Sequence, residues 1–242
     1  MSLAGIDAGI LLPAFAAGLL VLATHVPLGS EVLRRGIIFI DLAIAQIAGL
    51  GIVVAGVLGF AVGGWAMQAS AVLAALVGAL VLRGLERRAP QRLEALIGVS
   101  FVTAACGAIV LLSHDPHAGE HLQELLVGQI LWSTWADLGP LALVTAAVLA
   151  AWFGLRLKES PLGFYLLFAL TVTASVQVVG VYLVFASLIV PALAAGGRPW
   201  RAGVIGVLGY AAGLLASAAL DLPAGAAIVL ALVAGGIVGR RR

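Results

Sequence analysis

The sequence predicts an all-α fold, a polytopic transmembrane helical bundle of about eight or nine spans with short or broken helices among them. Three observations lead there. Of 242 residues, 63% are hydrophobic and only 10% are charged, against about 25% charged in an ordinary soluble domain. The apolar runs are continuous and do not alternate with period two, which selects helices over a closed barrel, the two backbones that satisfy their own hydrogen bonds in lipid. Short polar breaks then divide the chain into lengths near the roughly 20 residues that cross a bilayer.

In order, the spans are expected at about Gly9–Val26, Gly36–Val62, Ala66–Arg83, Leu96–Ser113, Gly139–Leu155, Arg201–Leu220 and Ala224–Val238. The run Gly163–Ala194 is too long for one untilted crossing. It reads as two crossings that meet near Gln177–Gly180, the second one short. The first run lacks the basic start and cleavage site of a secretory signal, so it is expected to be a retained span. Asp221-Leu-Pro-Ala-Gly reads as a sharp turn in which the acid caps the following helix.

Orientation follows from the basic residues, because Lys and Arg in short loops stay on the cytoplasmic side. They group at Arg34 and Arg35; at Arg83, Arg87, Arg88 and Arg92; at Arg156 and Lys158; at Arg198 and Arg201; and at Arg240–Arg242. Nine crossings with an external N-terminus put all 13 inside. Eight would leave some clusters outside. The C-terminus is then cytoplasmic, and residues 1–242 form a single transmembrane domain. The external stretch His114–Asp137 carries Leu122, Leu125, Leu126 and Ile130 at the spacing of a short amphipathic surface helix.

The net charge of +2 points to no nucleic acid. Cys106 stands alone in an apolar run, so no disulfide framework exists. Metalloprotease and nucleophile-elbow motifs are absent. The single lysine, Lys158, lies in Arg-Leu-Lys-Glu and not beside the glycines of a phosphate loop. The chain is therefore expected to be no enzyme, and energy for uphill work must come from an ion gradient or another subunit.

Asp41 is the most informative residue, since intramembrane acids face a cavity or a partner. Two readings stand: a pathway-lining, ion-contacting acid, or an interfacial carboxylate paired with Arg34 or Arg35. Gln46 lies deeper in the same helix, as a pathway residue or an interhelical hydrogen bond. His114, Asp115, His117, Glu120 and His121 form an external group of imidazoles and carboxylates, the donors that zinc, manganese and iron accept. It reads as a cation-gathering mouth or as a solvated polar loop. His25 and Asp137 read as ordinary interface residues.

Four segments, in order, resemble one family. They are Pro27–Ala43 around Asp41, Leu125–Leu131, Gln177–Ala192 containing Pro191, and Asp221–Leu230. The family is that of the membrane permeases of ATP-binding-cassette importers for zinc, manganese and iron, related to siderophore and vitamin B12 permeases. The resemblance implies a homodimer in a bacterial inner membrane, over two cytoplasmic ATPase subunits and fed by an extracytoplasmic metal-binding protein. It implies no permanent cofactor, only a transported divalent ion, zinc or manganese. It also makes Pro191–Gly203 the segment coupled to the ATPase, with Pro191, Gly197, Arg198, Pro199, Trp200 and Arg201 its named residues. One departure matters: where many members carry a His four residues after the acid, this chain has Ala45. A carboxylate with an amide is a harder site, more tolerant of manganese. The segment between Arg156 and Gly163 is also shorter than usual for the family. The rival readings are a stand-alone secondary transporter or channel, a membrane scaffold and an intramembrane enzyme.

Overall fold

A computed structural model describes residues 8–61, 64–112 and 128–240. These contain nine helices and no strand. In chain order they are α1 (Ala8–Arg35), α2 (Ile40–Val57), α3 (Trp65–Arg88), α4 (Leu93–Leu111), α5 (Trp135–Leu149), α6 (Pro161–Val179), α7 (Val181–Ala195), α8 (Pro199–Leu220) and α9 (Ala224–Arg240). Seven of them, α1 to α6 and α8, are long and apolar enough to cross a membrane. The other two, α7 and α9, are shorter, at 15 and 17 residues. The polytopic helical bundle expected from composition is the fold observed.

The long run breaks where its glycine predicts. Gly180 takes φ 79° and ψ 163° between α6 and α7, a conformation open essentially to glycine alone. Other boundaries moved. Pro27 does not end the first span, and α1 continues through it to Arg35. A proline inside a membrane helix forfeits one ladder hydrogen bond, which neighbours in a bundle re-satisfy. Gly36, at φ 70°, closes α1 instead. Asp221 does not cap α9. It closes α8 in the left-handed conformation (φ 52°), its N–H donating to the Ser217 carbonyl. At the start of α5, Asp137 accepts from both Thr134 N–H (2.9 Å) and Thr134 Oγ1 (2.7 Å), a capping box built with an aspartate. The end of α5 widens into a π turn over Ala150–Gly154. The short Arg156–Gly163 link is a 3-10 turn, Leu157–Glu159, laid against Gly163, where a Cβ would stand 2.2 Å from the Leu157 carbonyl oxygen.

The chain divides into two compact units. The first takes its residues from Met1–Arg35, Leu126–Ala147 and Ser175–Arg242, and so contains α1, most of α5, the end of α6, and α7 to α9. Its helices meet through small residues, the device of packing in lipid, where apolar burial between helices gains little. Gly29 of α1 lies on α7 so closely that a Cβ would be 2.0 Å from the Leu188 carbonyl oxygen. Gly213 of α8 meets the backbone of Ile228 in α9 in the same way, at 2.4 Å. The Gly18 face carries the ring of Tyr210. Gly128 (φ 69°) touches the backbone of Val179 and Gly180, so two of the segments singled out in the sequence meet at the break between α6 and α7.

Ser187 of α7 donates to the Leu183 carbonyl (2.6 Å), which uses its one proton. The buried Tyr210 hydroxyl of α8 therefore donates to Ser187 Oγ, at 2.8 Å. Tyr210→Phe should lower stability by only about 0.6 kcal/mol, the usual worth of such a bond between membrane helices. Ser187→Ala should cost more, because it strands a buried hydroxyl. Thermal unfolding of the two variants side by side checks the order.

The second unit takes its residues from Gly36–Leu125 and Val148–Ala174. Here α2 packs on α3 and α4. Ser70 Oγ donates to the Gly51 carbonyl at 2.7 Å, with Ala74 against Gly51. Val53, Ala108 and Leu112 close the other end with Leu50. Trp152, Phe164, Tyr165 and Phe168 stack along the end of α5 and the start of α6. Leu73, Val77, Leu80 and Val81 of α3, with Val99, Val102 and Val110 of α4, are exposed, an outward apolar face suited to lipid.

Candidate functional site

The α2 helix begins at Ile40, whose N–H donates to the Ile37 carbonyl at 3.2 Å, with no side-chain cap from Phe39; the next amides, of Asp41 and Leu42, can face an acid in the first turn. Asp41 stands in that first turn. It is 1% exposed, and neither carboxylate oxygen has a hydrogen-bond partner of full geometry. The amides of Asp41 itself and of Leu42 lie nearest to it, and Glu94 is the charged side chain that acts on it. The basic residues proposed as alternative partners are engaged within α1: Glu31 accepts from Arg34 Nε at 2.8 Å and from Arg35 Nε at 2.6 Å. Glu94 occupies the first turn of α4. Its Oε1 accepts the Phe39 N–H at 3.3 Å, and its Oε2 is buried without a partner.

Gln46 is half-buried on α2. Five residues separate it from Asp41, a turn of about 140° around the helix, so the two do not share a face. Ala45, buried at 2% exposure, is the residue that follows Asp41 on its own face, and it offers no ligand. His114, Asp115, His117, Glu120 and His121 lie outside the described residues, as do Leu122, Leu125 and Leu126 of the expected amphipathic helix; Ile130 opens a short 3-10 turn. Among the described residues no group of three His, Cys, Asp or Glu is placed to hold a metal ion.

The Pro191–Gly203 segment is not a separate helix. Pro191 is buried inside α7, set back from any surface. Gly196 (φ 58°) and Gly197 (φ 83°) make the turn. Arg198 is extended and exposed, Pro199 is the first residue of α8, and Trp200 is 68% exposed. Arg201 turns back instead: its Nη2 donates to the Gly239 carbonyl of α9 at 2.9 Å, where a cation meets the negative end of a helix.

Sequence reasoning missed two residues. His25, read as an interface residue, is fully buried in α1, with Nδ1 2.8 Å from the Val21 carbonyl oxygen and Nε2 unpartnered. Glu94 carries no motif that singles it out in the sequence. Its position in a helix first turn was the available signal.

The ABC 3 transport family matches residues 7–159 and 141–238 of this chain. A curated relative, the manganese transport system membrane protein MntC of Halalkalibacterium halodurans, is 28% identical over 231 residues, covering 84% of this chain and 77% of its own. The solved structure of PsaBC from Streptococcus pneumoniae in complex with Fab superposes with a TM-score of 0.71 at 20% identity, covering 96% of this chain and 89% of that one. With the family model matching nearly the whole chain, this chain belongs to the ABC 3 transport family and is one of its multi-pass membrane permeases.

Proposed function

We propose that this permease carries a divalent transition-metal ion, manganese in preference to zinc, in an importer driven by a separate cytoplasmic ATPase. The observation that carries the reading is Asp41, a buried acid with no side-chain partner among the described residues in a chain whose family is one of transporters. Such an acid is expensive in a membrane and is kept where a cation passes. With Ala45 in place of an imidazole beside the carboxylate on that face, the site favours a hard ion. The manganese named for the curated relative supports the same choice.

In this reading the chain works as a homodimer in a bacterial inner membrane, with its N-terminus outside and its C-terminus in the cytoplasm. An extracytoplasmic metal-binding protein delivers the ion. The chain itself is not catalytic; ATP is hydrolysed on the partner. The exposed turn Gly196–Trp200 is the docking surface, and Arg201 fastens it to α9. Movement of the partner then rocks α7, α8 and α9 and opens the path alternately to each side. Arg198→Glu with Trp200→Ala should weaken recovery of the ATPase in a pull-down while leaving the permease in the membrane. Undiminished recovery would move the docking surface elsewhere.

Uptake by the reconstituted complex across a panel of ions tests the whole reading. ATP-dependent entry of Mn2+ supports it. Transport by the chain alone, without an ATPase, would instead make it a stand-alone transporter or channel.

A further inference from the structure

We propose that Asp41 and Glu94, brought together where the first turns of α2 and α4 meet, form a two-carboxylate site for a hard divalent cation. The inference rests on the reading of the chain as a metal permease and supplies the second ligand that Ala45 does not.

The geometry is specific. The 3.3 Å bond from Phe39 N–H to Glu94 Oε1 fixes Glu94 at the entry of α2, two residues before Asp41. That bond occupies one oxygen of Glu94. The other is buried with no hydrogen-bond partner, and both oxygens of Asp41 are buried with no partner of full geometry, the amides of Asp41 and Leu42 lying nearest to them. Three buried carboxylate oxygens without a side-chain partner thus belong to the first turns of two helices that meet at Phe39. Among the described residues, the charged group that acts on Asp41 is another acid, Glu94.

The charge balance points the same way. Each helix N-terminus supplies about half a positive charge, so two of them offset about one of two carboxylates. Desolvated like charges in contact are costly unless a cation joins them. Oxygen donors alone suit Mn2+, Ca2+ or Mg2+ over softer ions, and waters complete the shell. Backbone amides at the two carboxylates, Phe39 N–H on Glu94 and those of Asp41 and Leu42 at Asp41, also keep the site weak enough to release its ion, as transport requires.

The test uses the full-length permease in lipid nanodiscs with Mn2+ as the probe, followed by electron paramagnetic resonance. Glu94→Gln keeps an oxygen for the Phe39 N–H, so thermal stability should be unchanged. Mn2+ affinity should fall by at least about tenfold, since even outer-shell losses cost that much at metal sites. X-ray absorption of the Mn2+-loaded wild type should show an all-oxygen shell. Unchanged affinity in E94Q, a nitrogen ligand in the wild type, or a wild type that holds no Mn2+ would each overturn the pair. If the pair fails while the assembled transporter still takes up Mn2+ and loses uptake with Asp41→Ala, the permease reading stands and only the Glu94 ligand falls. If the wild-type assembly moves neither Mn2+ nor Zn2+, the metal reading falls as well.

Discussion

Asp41→Ala should lower metal uptake by the assembled transporter by at least about tenfold, the loss expected when a metal site loses a ligand, while the chain still inserts and folds. The two halves of this result have separate causes. Uptake falls because Asp41 is a buried acid whose oxygens no side chain among the described residues engages. Folding survives because, among the described residues, only the amides of its own helix start lie against that carboxylate and no ion pair ends on it. Removing a buried charge that lacks a partner relieves desolvation instead of breaking a contact. Isotope uptake by vesicles, read beside detergent-solubilised thermal unfolding, separates the two. Normal uptake would remove Asp41 from the path. Lost uptake with a collapsed unfolding temperature would make it a structural acid of the helix start.

Gly29→Val should be the most damaging substitution for stability, at about 3 kcal/mol, the upper end of what forced overpacking costs. A Cβ at Gly29 would stand 2.0 Å from the Leu188 carbonyl oxygen and 3.0 Å from its carbon. Both are backbone atoms, so no side chain can swing aside. The two helices must separate, and the α1 contacts with α7 go with them. Gly107→Ala is the matched control. Its Cβ would meet Leu50 at 3.6 Å, an ordinary contact, so stability should hold. Denaturant titration in mixed micelles reads both. Equal stability of Gly29→Val and Gly107→Ala would show that the α1–α7 contact is looser than these distances state.

Helix number and the break at Gly180 were legible in the sequence because both are local. Hydropathy along the chain locates the spans, and a glycine that must take a positive φ marks the interruption. Helix ends were less legible. Pro27 argues locally for a stop, yet α1 runs through it, because the rest of the bundle, not the residue, decides whether a missing hydrogen bond is tolerated. The turn Gly196–Pro199 was legible for the same reason as Gly180, but the partner of Arg201 was not: Gly239 is 38 residues away.

By itself, then, the sequence determined a membrane bundle of about eight or nine spans, a glycine break in the longest run, and Asp41 as the acid to explain. The tertiary structure alone decided that Glu31 takes both Arg34 and Arg35, that Gln46 leaves the face of Asp41, and that Glu94 reaches the start of α2 from 55 residues beyond Phe39. The reason is physical. Spans are set by residues that are neighbours along the chain, whereas the pairing of helices in lipid leaves no amphipathic stripe to read. When every face is apolar, which polar groups meet is settled only by how closely the glycines let the backbones approach.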